Sequence, residues 1–166
     1  MKKTLFLTLI VLCLVQVSSF AQKIGYLNTG DLLAQMTEVK KADTILAQYA
    51  DELNKIYNGY IVEYQQKLAD YQQNVATMSD VKKEYMEEEL SQMQIRLSDF
   101  EKDSNDKLSK KKEDLYGPIL EKVKNAIKLV GEENKLTAVM DGSALLYTGT
   151  DCMDILPMVK KKLNIQ

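Results

Sequence analysis

Between Val39 and Phe100 large apolar residues recur at alternating steps of three and four, and Gly59 is the sole glycine or proline in that span. The first run is Val39, Ala42, Leu46, Tyr49, Leu53, Ile56 and Tyr60, the spacing of a coiled-coil seam. Tyr60, Tyr64 and Leu68 then lie four apart before Tyr71, Val75 and Met78 resume the alternation. An inserted step of this kind is a stutter, which locally unwinds a supercoil. The second run is Met86, Leu90, Met93, Leu97 and Phe100. Between the runs, Ala76-Thr77-Met78-Ser79-Asp80 reads as a break in which Thr77 or Ser79 caps the next helix and Asp80 sits in its first turn. So short a link forces the helices to fold back antiparallel, with the tip near residues 76–80. That register sets Phe100 against Tyr57, Leu97 against Tyr60 and Met86 against Tyr71. Arms of about 45 residues at ~1.5 Å each make a rod of roughly 65 Å, which must project from whatever body carries it.

The rest of the chain supplies that body. Residues 101–114 hold ten charged side chains in fourteen, so this part of the helix is either a solvated face with i,i+4 pairs or a place where the arms separate. Gly117-Pro118 follows; proline inside a helix loses a hydrogen bond, which makes Gly117 and Pro118 the expected kink and hinge. Residues 31–116 are therefore read as the arm, and residues 22–30 with 117–166 as the body. Lys23-Ile24-Gly25-Tyr26-Leu27-Asn28, residues 136–141 and residues 144–148 read as strands, the last two joined by a turn at Asp141-Gly142-Ser143. A final short helix covers residues 155–163, with Asp154 as its cap and Pro157 in its first turn. So small a sheet leaves edges that one chain cannot close, so the body is expected to oligomerise, with Ile24, Tyr26, Val139, Leu145 and Tyr147 as its contact residues. The fold class is α+β: a long antiparallel helical hairpin on a small β body that closes by association.

Composition removes most chemistry. The 166 residues include no His, two Cys and seven scattered Gly, which disfavours imidazole catalysis, Cys-rich zinc sites and phosphate-cradling loops. No cofactor or metal is expected, and the chain is not read as an enzyme. Met1-Lys2-Lys3-Thr4, an apolar run to Val17 and Ser19 and Ala21 at −3 and −1 form a secretory signal, so the mature chain is expected to begin at Gln22. The run is shorter than the ~20 residues of a membrane span. Removing residues 1–21 leaves 20 basic and 24 acidic side chains, a net of −4, and a single cysteine, Cys152, without an internal partner.

Taken in order, Ile24-Gly25-Tyr26-Leu27-Asn28, the hairpin, Pro118-Ile119-Leu120-Glu121-Lys122-Val123 with Ala126-Ile127, Val139-Met140-Asp141 before Leu145-Leu146-Tyr147, and Asp154-Ile155 ahead of Val159 and Leu163 resemble the Skp/OmpH family of periplasmic chaperones. The resemblance covers essentially the whole chain. It implies a homotrimer with a shared β body and three arms around a cavity, acting without ATP as a periplasmic holdase for unfolded outer-membrane proteins. Well-known members have positive arms. This chain is acidic, which weighs against capture of acidic clients by charge and against contact with anionic lipid.

Tyr57 and Tyr64 fall beside the seam where the stutter rotates it, and with Met78, Val81 and Met86 near the tip they are the candidate client contacts. Tyrosine and methionine suit adaptable contact with apolar chains, although tyrosines at seam spacing equally serve to fill a hairpin. Lys110-Lys111-Lys112 and Lys160-Lys161-Lys162 lack interleaved aromatics and have acidic neighbours, so no nucleic-acid partner is expected. The alternative reading of the whole chain is a structural or adaptor protein of the envelope whose arms bind one folded partner.

Overall fold

A computed structural model describes residues 23–165, so the expected signal and cleavage site lie outside the described residues. Strand β1, Ile24–Leu27, is followed by helix α1, Thr29–Gln35, and helix α2, Thr37–Asn74. A 3-10 turn at Val75–Thr77 leads to helix α3, Asp80–Glu133. Strand β2, Ala138–Asp141, strand β3, Cys152–Asp154, and helix α4, Leu156–Lys162, complete the chain. Helices α2 and the first part of α3 form the hairpin, and everything else gathers at its open end.

The tip falls where the sequence places it. Ser79 is the N-cap of α3, its side chain accepting from the Lys82 amide at 3.4 Å. The root differs. A single helix from residue 31 to the tip is expected, yet the chain breaks at Met36, which is extended (φ −76°, ψ 128°) and fully buried. The break lets α1 turn so that Leu32 and Met36 enter the core together, ahead of Val39 and Ala42 from α2. No glycine or proline marks it; the burial of Met36 stabilises the extended backbone there. Asn28 caps α1, its side-chain oxygen accepting from the Asp31 amide at 3.1 Å.

At the other side of the root, α3 runs unbroken for 54 residues through Gly117 and Pro118. Its second half supplies Ile119, Val123, Ala126 and Val130 to the core, one turn apart as a buried helical stripe requires. Ile155, Val159 and Leu163 close the core from α4 and the residues on either side of it. Pro157 lies in the first turn as the sequence predicts, but the N-cap is Ile155 and not Asp154, which accepts from the Leu156 amide at 2.9 Å from one residue further back.

The three strands form one parallel sheet in the order β2-β1-β3. This corrects the expected antiparallel pair. Asp141-Gly142-Ser143 does turn the chain, with the Asp141 carboxylate accepting from the Ser143 amide and hydroxyl at 2.9 and 2.6 Å. It leads out of the sheet, however, and residues 144–148 are not a strand. The third strand is Cys152–Asp154, reached by a loop that leaves Leu146 and Tyr147 in solvent. Such a crossover lets both outer strands run parallel to β1. Ladder pairs Gly25–Val139 and Gly25–Met153 face the core, while Ile24, Tyr26, Ala138, Met140 and Cys152 share the opposite face by strand alternation. Gly25 is closely packed: a Cβ would stand 2.6 Å from Leu136 Cδ1 and 3.2 Å from Ile155 Cγ2, so a larger residue would have to displace the Leu136 side chain.

Candidate functional site

Two surfaces stand out, the flanks of the arm and the uncovered face of the sheet. Along the arm the seam holds tyrosines as well as aliphatic and methionine packing. Tyr57 stacks on Phe100 at 6.4 Å between centroids, and Tyr60 meets the same ring edge-on at 5.2 Å. Gln94 donates to the Tyr64 hydroxyl at 2.6 Å. The Tyr71 hydroxyl donates to Glu87, and the Tyr116 hydroxyl to Asp43. Those carboxylate partners hold both phenols protonated above their usual range. Ion pairs Lys67–Glu89 at 2.7 Å and Lys122–Glu38 at 2.6 Å cross the hairpin near its tip and its root. Lys122 in turn keeps the Glu38 carboxyl below its ordinary value.

The charged stretch 101–114 stays paired with α2. Lys111 lies 5.8 Å from the Tyr49 ring centre, and Lys107 forms an i,i+4 pair with Asp103 at 2.6 Å. Of the two readings of this stretch, the solvated helix with local pairs is the observed one. The only buried polar oxygens left without a partner among the described residues are Glu89 Oε2 and Ser104 Oγ, both in the arm.

The candidate contact residues divide. Tyr57 and Tyr64 are half-buried in the seam rather than beside it, because the phase slips one turn earlier than the sequence suggests. Tyr57 takes the place expected for Ile56, and Ile56 is left exposed. Met86 is 2% exposed, packed with Leu90 and Met93 under the distal arm, so it is a seam residue and no surface contact. Met78 is half-buried at the tip, while Val81 is 78% exposed. Gly117 and Pro118 sit on a continuous helix above the Ile119 packing. In the body, Ile24 and Tyr26 are half-buried on the uncovered sheet face, and Tyr147 is exposed beside it in sequence with the fully exposed Leu146. Val139 instead points into the core, where its methyl lies 3.7 Å from a Cβ built on Gly131. Leu145 is half-buried.

Sequence reasoning missed Ile45, Ile56, Tyr85 and Ile95 on the arm and Met140 on the sheet, all exposed. For Ile45, Tyr85 and Ile95 the available signal was a large apolar residue out of phase with an otherwise complete seam; Ile56 is in phase and carried no such signal. Among the described residues, no group of three His, Cys, Asp or Glu side chains is placed to hold a metal ion. Also among them, no helix is long and apolar enough to cross a membrane. Cys152 is a free, half-buried thiol on the edge strand.

A model of the family described as outer membrane protein (OmpH-like) matches residues 23–163, from the first strand to the end of α4. The chain belongs to the OmpH-like family. The match spans body and arm together, so the resemblance drawn from the sequence holds at family level. Among solved structures, the OmpH-like fold recurs in the crystal structure of a candidate outer membrane chaperone (OmpH-like) from Caulobacter crescentus, with a TM-score of 0.71. That alignment covers 86% of this chain and 84% of the other at 12% identity. A search of curated proteins finds no match to the sequence. A long helical hairpin on a small three-stranded sheet is thus kept by the OmpH-like fold while most side chains differ.

Proposed function

We propose that this OmpH-like chain is a periplasmic chaperone of the holdase type, which binds unfolded outer-membrane proteins without ATP and keeps them from aggregating. The observation that carries the reading is a hairpin that fills its own seam and still leaves Ile45, Ile56, Val81, Tyr85 and Ile95 in solvent along its length. Scattered apolar side chains on a rod suit low-specificity contact with unfolded chains, since apolar burial is non-directional and scales with area. Family membership and the fold shared with the Caulobacter crescentus structure support it.

The uncovered sheet face supports the second half of the proposal, a homotrimer built through the body. Ile24, Tyr26 and Met140 on that face, with Leu146 and Tyr147 in the following loop, form apolar surface that a single chain leaves wet. Gly117 and Pro118 lie where arm meets body, and we assign them the hinge; Pro118 has no N–H to donate to the Asp114 carbonyl one turn back. No nucleic acid or lipid is assigned as a partner.

The adaptor reading draws on one feature, the hydrogen-bonded closure of the seam, which suits a stiff strut. A single assay separates the two. The mature chain is added without nucleotide to a urea-unfolded β-barrel membrane protein on dilution, and aggregation is followed by turbidity. We expect suppression at stoichiometric amounts of trimer. Unchanged aggregation would remove the holdase and leave the adaptor.

A further inference from the structure

The two flanks of the arm are not alike. Tyr64–Gln94 and Tyr116–Asp43 mark one of them. Helical spacing from these pairs adds Ala47, Asn54, Asn58, Ser98 and Asn105 together with the charged Glu87, Glu101 and Lys112, and no exposed large apolar residue. On the opposite flank Tyr60, Phe100, Ile95 and Arg96 line a shallow groove of about 540 Å³ with Gln92, Asp99 and Asp103 at its rim. Ile56 lies one turn before Tyr60 on that same helix face, and Ile45 three turns before Ile56. Tyr85 likewise lies three turns before Arg96. Gly59, between Ile56 and Tyr60, has open space where a Cβ would be, so nothing walls the groove off on that side. Ile45, Ile56, Ile95 and Tyr85 are between 42% and 60% exposed, far more than seam packing would leave them.

The charge on this flank has a sign. From Glu52 outward, Lys67 and Lys107 are taken up by Glu89 and Asp103, and the Arg96 guanidinium lies 5.9 Å from the Tyr60 ring centre. Glu52, Glu63 and Asp99 form no ion pair among the described residues. Arg96 and Lys82 form no ion pair among the described residues either and lie over the Tyr60 and Tyr85 rings, so the free charge beside the apolar side chains is mixed, with a small acidic excess.

We propose that this flank is the track for an extended, unfolded polypeptide segment in which apolar side chains alternate with Lys or Arg. The inference rests on the holdase reading and specifies which side of the arm is used and which chain chemistry it takes. Ile45 and Ile56 stand about 16 Å apart along the helix. An extended chain covers that distance in roughly four to six residues at ~3.3 Å each, so apolar side chains at an even spacing on its inward face reach successive stations. The basic residues between them start from the outward face, and their long stems bend back past the chain edge to bring the charge toward Glu52, Glu63 and Asp99, where an acidic segment would be repelled.

The test uses the full-length mature protein and three fluorescent 15-residue peptides measured by anisotropy. One alternates Phe with Lys, one Phe with Glu, and one Ser with Lys. We expect the Phe/Lys peptide to bind at least tenfold tighter than either other peptide. We expect I56S/I95S to weaken it tenfold or more, D99K to weaken it severalfold, and V62S, on the outer face of α2, to change it less than twofold. Circular dichroism of each variant guards against unfolding, and all four positions are exposed. Equal binding of the Phe/Lys and Phe/Glu peptides would overturn the acidic rim. Tight binding retained by I56S/I95S would overturn the track while leaving the holdase standing. If the wild-type chain bound no peptide yet suppressed aggregation of an unfolded barrel protein, the track would again be wrong and the holdase right. Failure in both assays would remove the holdase reading itself.

Discussion

Body and arm are stabilised by different physics. The body is an ordinary core: Leu32, Met36, Val130, Ile155 and Val159 are at most 1% exposed, and no polar or charged residue is buried among them. The arm has only a narrow interior, with Met86, Leu90 and Met93 buried along one stripe of α3. Between Leu46 and Leu68 no α2 residue is fully buried, and the helices are joined by ring stacking, tyrosine hydrogen bonds and ion pairs at the seam edge. Two helices side by side can bury only one stripe each, so a long hairpin has too little apolar area to hold itself by packing alone. The lesson is a division of work: the body fixes where the arm starts, and the arm stays partly apolar on its outside.

Equal truncations in the two regions test this first. Leu32→Ala in the body should cost about 3 kcal/mol, because it empties a fully buried site. Leu53→Ala in the arm should cost roughly 1 kcal/mol, since its side chain is only half-buried. Urea unfolding followed by circular dichroism reads both. Equal losses would mean that arm and body form one cooperative core.

Gly25→Ala sharpens the picture of the body. The new methyl would press on Leu136 and Ile155, and overpacking of this kind costs about 1–3 kcal/mol. The far end of Leu136 has some freedom to yield, which places the effect below that of Leu32→Ala. A neutral or stabilising result by the same urea titration would contradict the packing of β1 against α4.

Smaller effects belong to the arm's hydroxyl contacts. Tyr71→Phe and Tyr116→Phe each remove a bond to a carboxylate while keeping the ring. We expect faster amide exchange around Glu87 and around Asp43, respectively, with the body unaffected. The pH sign follows from the raised phenol values. Their contribution is complete below the usual value of 10 and is lost as pH climbs through it toward the raised one, so the wild-type arm should loosen in alkali more than either variant. Exchange rates that leave the arm unchanged in both variants would show these bonds to be idle.

The hairpin and its tip were legible because one periodicity dominates 60 residues and a capping serine interrupts it at one place. The core of the body was legible for the same reason, as Ile119, Val123, Ala126 and Val130 repeat at helical spacing. The break at Met36 was not, because the burial of a side chain against elements distant in sequence decides it. Nor was the parallel sheet: Ala144 to Thr148 has the composition of a strand, but Asp141 turns the chain out of the sheet and Cys152–Asp154 pairs with β1 instead. Tyr57 and Ile56 are neighbours of similar apolar weight; the turn position sets Phe100 against Tyr57, as observed, while the 3-4 spacing favours Ile56, so the two sequence signals conflict there and the stacking on Phe100 wins.

The smallest effect sits at the end of β2. Ser143 and Thr29 hydrogen bonds hold the Asp141 carboxyl at about 2 instead of 3.8. A lowered carboxyl contributes above its unfolded value and loses that contribution as pH falls from about 3.8 through 2. Asp141→Asn should therefore flatten the acid limb of body stability while changing little at pH 7. An unchanged acid limb by thermal melts between pH 2 and 5 would separate Asp141 from the acid response.

The central claim is that the body assembles and the arm captures. Tyr49 lies close to Lys111 across the hairpin, so residues 49–108 can be replaced by a short Gly-Ser link without moving the root. Turbidity of a diluted, urea-unfolded β-barrel protein is then recorded with the full-length and the arm-shortened chain at equal chain concentration. The account expects the full-length chain to keep the solution clear and the shortened chain, still assembled by light scattering, to give the turbidity of buffer alone. Equal protection by the shortened chain would place capture in the body and contradict the account.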